Sequence, residues 1–239
     1  MASLASQASQ CYVPRRAGSC PCSNHRAIIA SASIHGRKRV TKPWPQARDS
    51  YLKSQQDRQV YLSVDEPFTS SILKDILGDI PGASPEDWLM RIAQAALDVA
   101  LKETYAAQMS LLITDDETVQ GLNAQFRGLD EVTDVLSFSV DHAGHWEGEE
   151  EPPRDLVETN DFDFVMPLGE LSPLGEVIVS YPQAQRQAEE RGAPLEHELA
   201  LLVVHGVLHL TGHNHLESEE TELMQSKECT ALAALNIES

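Results

Sequence analysis

Cysteine, aromatic residues and long apolar runs are all scarce in this chain of 239 residues. Of its four cysteines only Cys229 lies after residue 48, so residues 49–239 cannot form an internal disulfide, and this usage suits a reducing compartment. The Cys20-Pro21-Cys22 pair has no second cysteine pair downstream, which argues against a zinc ribbon. No apolar run is long enough for a signal-peptide core or a membrane span, so we expect no membrane partner.

Acidic residues are absent from residues 1–48, which hold eight Lys or Arg and seven serines. A basic, serine-rich and acid-free N-terminus is typical of an organelle transit peptide. We therefore predict that residues 1–50 are a disordered transit peptide that directs the chain to the chloroplast stroma, with the mitochondrion as the alternative. A disordered basic tail that binds nucleic acid is the other interpretation.

Positive charge is scarce after this segment. The chain has 18 Lys and Arg against 37 Asp and Glu, and eight of the cations but none of the acids lie in residues 1–48. The remaining part is strongly acidic, which argues against a broad, non-specific nucleic-acid surface. Its length, roughly 190 residues, is enough for one domain with a core.

Much of this acidity lies between Phe138 and Leu174, where ten acids accompany a single cation, Arg154. The segment also contains prolines and shows no hydrophobic periodicity. We therefore predict a solvated acidic loop insertion over residues 139–173. An acidic arm that contacts a basic partner is the functional alternative.

The rest of the chain alternates strand and helix patterns. We predict strands at 60–64, 109–114, 133–138 and 176–180, and helices at 85–105, 115–126, 182–191, 195–210 and 217–235. Ser84 is the predicted N-cap of the first helix, and Asp115 and Asp116 cap the second. The pattern predicts one α+β (α/β-like) domain over residues 58–237, with a mixed four-stranded sheet covered by about five helices.

Four of the nine histidines lie within eleven residues, and three of them have metal-ligand spacing. His205 and His209 are four residues apart, so both rings project from one face of the predicted helix. Gly212 allows the chain to turn back so that His215 reaches the same point. Three neutral imidazoles with a fourth position open are the ligand set of a catalytic zinc ion, and we predict one Zn2+ per chain at the end of this helix.

The same segment lacks the residue that a zinc protease requires. Its spacing is that of the metzincin motif, in which a Glu follows the first His and acts as general base. That position is Gly206 in this chain, so a zinc-dependent peptide or amide hydrolase remains only a minor alternative.

Arg127 and Gly128 lie at the predicted junction between a helix and a loop. A guanidinium there is well placed to project into a cleft and to give a phosphate two parallel hydrogen bonds. Interaction with the dipole of its own helix is the structural alternative.

Together these segments resemble the YbeY family of zinc-dependent endoribonucleases that mature ribosomal RNA. The similarity lies in residues 123–138, 174–180 and 205–215, which match the family's N-x-x-x-R-G, T-D-V-L-S-F, L-G-D-I-x-I-S and H-G-x-L-H-L-x-G-Y-D-H patterns in order and spacing. The resemblance implies that His205, His209 and His215 hold the zinc. It also implies that Arg127 serves RNA binding and catalysis, and that the fold is a helix-covered mixed sheet with the metal in a cleft. The implied partners are single-stranded rRNA and the small ribosomal subunit or its proteins.

The chain departs from the family pattern at Glu176, a mild replacement for the family's Asp, and at two residues of the histidine segment. His213 and Asn214 replace the family's Tyr-Asp, and Asn214 cannot carry charge or act as a base. His213 could supply a titratable group instead, or compete as a ligand. A non-catalytic ribosome-assembly factor that uses the histidines structurally is the second functional hypothesis.

Overall fold

The computed structural model describes residues 28–31, 58–78, 81–102, 105–142, 147–148, 171–215 and 217–237. These residues form one mixed sheet and six helices. The strands are β1 (Ile28–Ser31), β2 (Arg58–Val64), β3 (Ala107–Thr114), β4 (Val135–Ser139) and β5 (Ser172–Ser180). The helices are α1 (Phe68–Asp75), α2 (Pro85–Ala100), α3 (Asp116–Arg127), α4 (Tyr181–Arg191), α5 (Leu195–Leu210) and α6 (Ser218–Ala234).

The sheet has the strand order β1-β4-β5-β3-β2. Strand β3 runs parallel to both β2 and β5, and β1 runs parallel to β4, whereas β4 and β5 are antiparallel. A mixed sheet with helices on its faces confirms the predicted α+β domain.

Helices α2, α5 and α6 cover one face of the sheet and enclose the larger core. Every residue of α5 from Glu198 to Leu210 is buried, because this helix lies between the sheet and the two other helices. Its sequence is apolar all round, as expected for a central helix. The histidine pair of α5 therefore lies on a helix that is buried on all sides.

Helix α3 packs on the opposite face against a smaller cluster of apolar side chains: Leu112, Val119, Leu136, Phe138 and Ile178. Successive residues of a strand point to opposite faces, so Leu136 and Phe138 face α3 whereas Val135 and Ser137 face α5. Strand β4 is consequently shared by both layers of helices.

All four predicted strands are present, and five of the six helices lie where the sequence predicts them. The Ser84 hydroxyl accepts the backbone N–H of Asp87, and the Asp115 carboxylate accepts that of Thr118, which confirms both N-caps. Helix α2 ends earlier than predicted, at Ala100. Helix α1 is not predicted, because it is short and follows Pro67 without a side-chain cap.

Strand β1 was not predicted, since residues 28–31 fall within the segment assigned as a disordered leader. The physical reason for the difference is that β4 would otherwise be an edge strand. The short segment 28–31, which contains two isoleucines, pairs with it in parallel and extends the sheet. The rest of the predicted transit peptide, and most of the predicted acidic insertion, lie outside the described residues. The two ends of that insertion belong to β4 and β5. None of the helices in the described ranges has the length and apolar character to cross a membrane.

Candidate metal centre

Helix α5 lies unusually close to the sheet at Gly206. A Cβ added there would be 2.6 Å from Val177 Cγ1 and 3.0 Å from Val135 Cγ2, both of buried side chains. The Ser137 hydroxyl donates a hydrogen bond of 2.8 Å to the Gly206 carbonyl. Gly206 therefore has a packing role: its missing side chain lets the histidine-bearing helix contact β4 and β5 directly.

A glycine turn follows the last residue of α5. Gly212 has φ +86°, a conformation that glycine adopts without strain, and the backbone N–H of His213 bonds back to the Leu208 carbonyl at 3.0 Å. This reversal brings His215 beside the end of the helix, as the sequence predicts.

His205, His209 and His215 form a compact group in which one ring nitrogen of each lies within 4.8 Å of the others. The ring centroids are 4.7 Å, 5.1 Å and 5.6 Å apart. His205 and His209 are 2% exposed, and His215 is partly buried. The three residues predicted as metal ligands are thus brought together.

Glu228 of α6 orients the first of these histidines. Its Oε1 lies 2.6 Å from His205 Nδ1, and the carboxylate is buried. An ionised carboxylate only accepts hydrogen bonds, so Nδ1 carries the proton and Nε2 of His205 keeps its lone pair. That Nε2 faces His209 Nε2 at 3.1 Å, in the middle of the group.

The donor set fits a metal ion. Burial lowers the pKa of His209 well below 6.5, and the neighbouring His205 and His215 lower it further, so its imidazole is neutral at physiological pH. The Nε2 atom of His215 is buried and has no hydrogen-bond partner among the described residues. Neutral imidazoles with unused ring nitrogens that converge on one point are the ligands a zinc-type ion requires.

His213 and Asn214 lie beside the group but outside it. His213 Nδ1 is 3.2 Å from the Thr211 hydroxyl, and burial together with nearby Lys227 lowers its pKa. The Asn214 side chain interacts with His209 and raises the pKa of that ring slightly against the larger effects. The ring of His213 is therefore not part of the three-histidine group. Asn214 supports His209 by a side-chain hydrogen bond and carries no charge.

Arg127 is not in an open cleft. Its side chain is 1% exposed, Nη1 donates to Asn123 Oδ1 at 3.0 Å, and Nη2 pairs with Glu147 Oε1 at 2.8 Å. Phe126 contacts Phe138 on the α3 face of β4, whereas the Ser139 hydroxyl bonds to Leu210 on the α5 face. Arg127 and the histidines therefore lie at the same end of β4 but on opposite faces of the sheet.

Glu228 is not among the site residues predicted from the sequence. A signal for it exists, because Met224, Glu228 and Ala231 share the buried stripe of α6, where a carboxylate is costly unless it has a partner. His142 is not predicted either, and its ring contacts Gly212 although the two residues are 70 positions apart.

Comparisons with known proteins agree with this geometry. Residues 75–236 match the family model described as endoribonuclease YbeY. Proteins named endoribonuclease YbeY from Desulforamulus reducens, Dehalococcoides mccartyi and Rhodopseudomonas palustris are 37%, 39% and 36% identical to this chain. The alignments span 64%, 61% and 65% of this chain and 91%, 84% and 71% of those proteins.

A solution structure of a Thermotoga maritima protein is also similar, with a TM-score of 0.40 at 20% identity over 74% of this chain and 91% of that one. The family match covers α2 to α6, and so includes all three histidines of the group and the carboxylate that orients His205. By its sequence the chain is a member of the YbeY endoribonuclease family.

Proposed function

We propose that this chain is a zinc-dependent endoribonuclease that cleaves single-stranded ribosomal RNA and supports ribosome assembly. The observation that carries the proposal is the convergence of three histidine nitrogens within 4.8 Å in a member of this family. The names of the relatives support the reaction class, and the all-histidine donor set supports zinc as the ion.

His205, His209 and His215 would hold one zinc ion per chain. A zinc ion bound there supplies a Lewis acid for the phosphodiester. Glu228 keeps the His205 ring in the orientation and tautomer that ligation requires, and the buried backbone of α5 fixes His205 and His209 relative to each other.

Arg127 is the proposed phosphate-binding residue, and its surroundings set a condition on that role. Its two terminal nitrogens are bound to Asn123 and Glu147, whereas its buried Nε has no hydrogen-bond partner among the described residues. A phosphate bound by Arg127 would therefore replace Glu147 as its partner. Both are anions that accept charge-assisted hydrogen bonds, so the exchange is chemically matched.

Proteolysis is a weaker proposal for the same histidines. Gly206 provides no base, and the buried carboxylate nearest the group, Glu228, is engaged with His205. RNA, the small ribosomal subunit and its basic proteins remain the proposed partners. Chloroplast targeting by residues 1–50, with the mitochondrion as alternative, is proposed from their composition and is tested by import of the full chain into isolated organelles.

The decisive experiment combines metal analysis with cleavage of a single-stranded rRNA fragment by wild type, His209→Ala and Arg127→Lys. We expect about one zinc per chain in wild type, loss of cleavage on chelation and recovery on adding zinc. His209→Ala should lose metal and activity together, while Arg127→Lys should keep the metal and cleave more slowly. Mapping the product ends identifies the nucleophile, because a 5′-phosphate indicates water and a 2′,3′-cyclic phosphate indicates the neighbouring 2′-OH.

Cleavage that survives complete removal of zinc would contradict the proposal. Normal rRNA maturation in cells that carry His205→Ala and His209→Ala would instead favour the non-catalytic assembly factor. His197→Ala, at the opposite end of α5, is the matched control for loss of an imidazole.

A further inference from the structure

His142 lies at the end of β4, where the chain leaves the sheet beside the histidine turn. The Ser139 hydroxyl donates to the Leu210 carbonyl at 3.1 Å and accepts the backbone N–H of His142 at 3.2 Å. One serine thus ties the position of His142 to the last residue of α5. These two hydrogen bonds fix the backbone position of His142 relative to the helix that carries His205 and His209.

The ring of His142 lies directly over Gly212. A Cβ added at Gly212 would be 2.6 Å from both Cε1 and Nε2 of His142, and 3.2 Å from Cδ2. Gly212 is the turn residue between the second and third grouped histidines, and its lack of a side chain makes room for this ring. The other ring nitrogen, Nδ1, is not among the three atoms nearest to Gly212.

The charged groups near His142 are the cation Lys227 at the turn and the exposed acid Asp141, its neighbour in the chain. His142 itself is exposed, and among the described residues neither ring nitrogen has a hydrogen-bond partner. Besides burial, Lys227 and His142 both lower the pKa of His213, which places the two side chains near the turn. Lys227 is held in place by donating to the Val99 carbonyl at 2.8 Å.

We propose that His142 is a substrate-contacting residue that donates a hydrogen bond from its ring to an RNA phosphate next to the metal centre. The inference rests on the proposed nuclease function and names a contact that the three ligands and Arg127 do not supply. A neutral imidazole has one N–H donor, and a phosphate oxygen accepts it as a charge-assisted hydrogen bond. His142 then contacts the phosphate on the α5 face, opposite to Arg127, with Lys227 as a further cation near the turn.

The alternative is that His142 only fills the space over Gly212, and two variants separate these roles. His142→Phe keeps a ring over Gly212 but removes the donor. His142→Asn places an amide nitrogen close to the position of Nδ1 but removes the ring contact. His197→Asn is the matched control, since it removes an imidazole at the far end of α5.

The measurements are the dissociation constant of the zinc-loaded full chain for a 2′-O-methyl RNA oligonucleotide, the zinc content, and the thermal midpoint. We expect His142→Phe to weaken RNA binding about tenfold, the effect of losing one charge-assisted hydrogen bond, with zinc content and midpoint unchanged. His142→Asn should bind RNA within about twofold of wild type. On a cleavable RNA, His142→Phe should raise KM and leave kcat nearly unchanged.

Unchanged RNA affinity in His142→Phe would overturn the inference. So would a loss of zinc or of thermal stability in His142→Asn that does not occur in His142→Phe, because it would show that the ring only fills space. Absence of RNA binding by wild type would overturn it together with the nuclease proposal. Wild type that binds the oligonucleotide through His142 but cleaves no RNA would overturn the nuclease proposal alone.

Discussion

At the scale of single residues, Glu228 distinguishes His205 from the other two histidines of the group. Its carboxylate lies 2.6 Å from His205 Nδ1 in a buried position, where an unpaired charge is costly. Spacing along the chain predicts the three histidines because they lie within eleven residues. It does not predict Glu228, because that contact depends on how α6 packs beside α5.

Glu228→Gln should weaken zinc binding about 10- to 100-fold while the fold is retained. Glutamine has nearly the same shape as glutamate but lacks the charge that fixes the proton on His205 Nδ1. Competition with a chelator of known affinity measures the effect. Glu222→Gln, at an exposed position of the same helix, is the control, and equal zinc affinities in the two variants would contradict the assigned role.

At the scale of secondary-structure elements, the approach of α5 to β4 and β5 determines what position 206 accepts. Gly206→Ala improves helix propensity by about 1 kcal/mol, yet its methyl group would lie 2.6 Å from Val177 Cγ1. Overpacking in a core costs about 1–3 kcal/mol, so we expect a net loss of up to about 2 kcal/mol in the free energy of unfolding.

Gly121→Ala is the matched control, because this exposed position in α3 has no atom within 4 Å of an added Cβ. We expect that variant to be more stable by about 0.5–1 kcal/mol. Urea unfolding of both variants tests the pair, and a stabilising Gly206→Ala would contradict the close packing.

Most elements could be predicted from sequence because their apolar periodicity and capping residues agree. Helix α1 and strand β1 could not, since α1 has no side-chain cap and β1 exists only through its pairing with β4. The surroundings of Arg127 could not be predicted for a similar reason. The sequence predicts that Arg127 lies at the C-terminus of a helix. The face of the sheet on which it lies is known only from the tertiary structure.

The contact between α3 and the start of the acidic segment predicts how a substitution at Glu147 changes RNA affinity. Arg127 Nη2 pairs with Glu147, and the Arg127 carbonyl accepts the backbone N–H groups of Glu147 and Gly148. If RNA replaces Glu147, then Glu147→Gln should tighten binding of the 2′-O-methyl oligonucleotide about threefold, the value of a partly exposed ion pair. Glu117→Gln, an exposed acid at the other end of α3, is the control. Unchanged affinity would indicate that Arg127 stays paired.

At the scale of the whole molecule, the net charge of −19 means that any polyanion the chain binds must be held by local contacts. Each phosphate neutralised on a single strand contributes about 0.7 to the salt slope, so two or three contacts predict a slope of about 1.5–2. The eight cations of residues 1–48 should make the slope steeper in the full chain than in a chain that starts at residue 49. Dissociation constants over a range of KCl concentrations measure both, and equal slopes would show that residues 1–48 do not contact RNA.

The asymmetry of the histidine group has a kinetic consequence. Two of its members are embedded in the central helix, whereas the third, His215, lies on a short turn that reverses at Gly212. An ion held by all three histidines would leave when the turn moves His215 away from it, while α5 and the core stay folded. Exchange of the ion would therefore be far faster than unfolding of the domain, and the lifetime of the loaded state would depend on residues 211–215 rather than on overall stability.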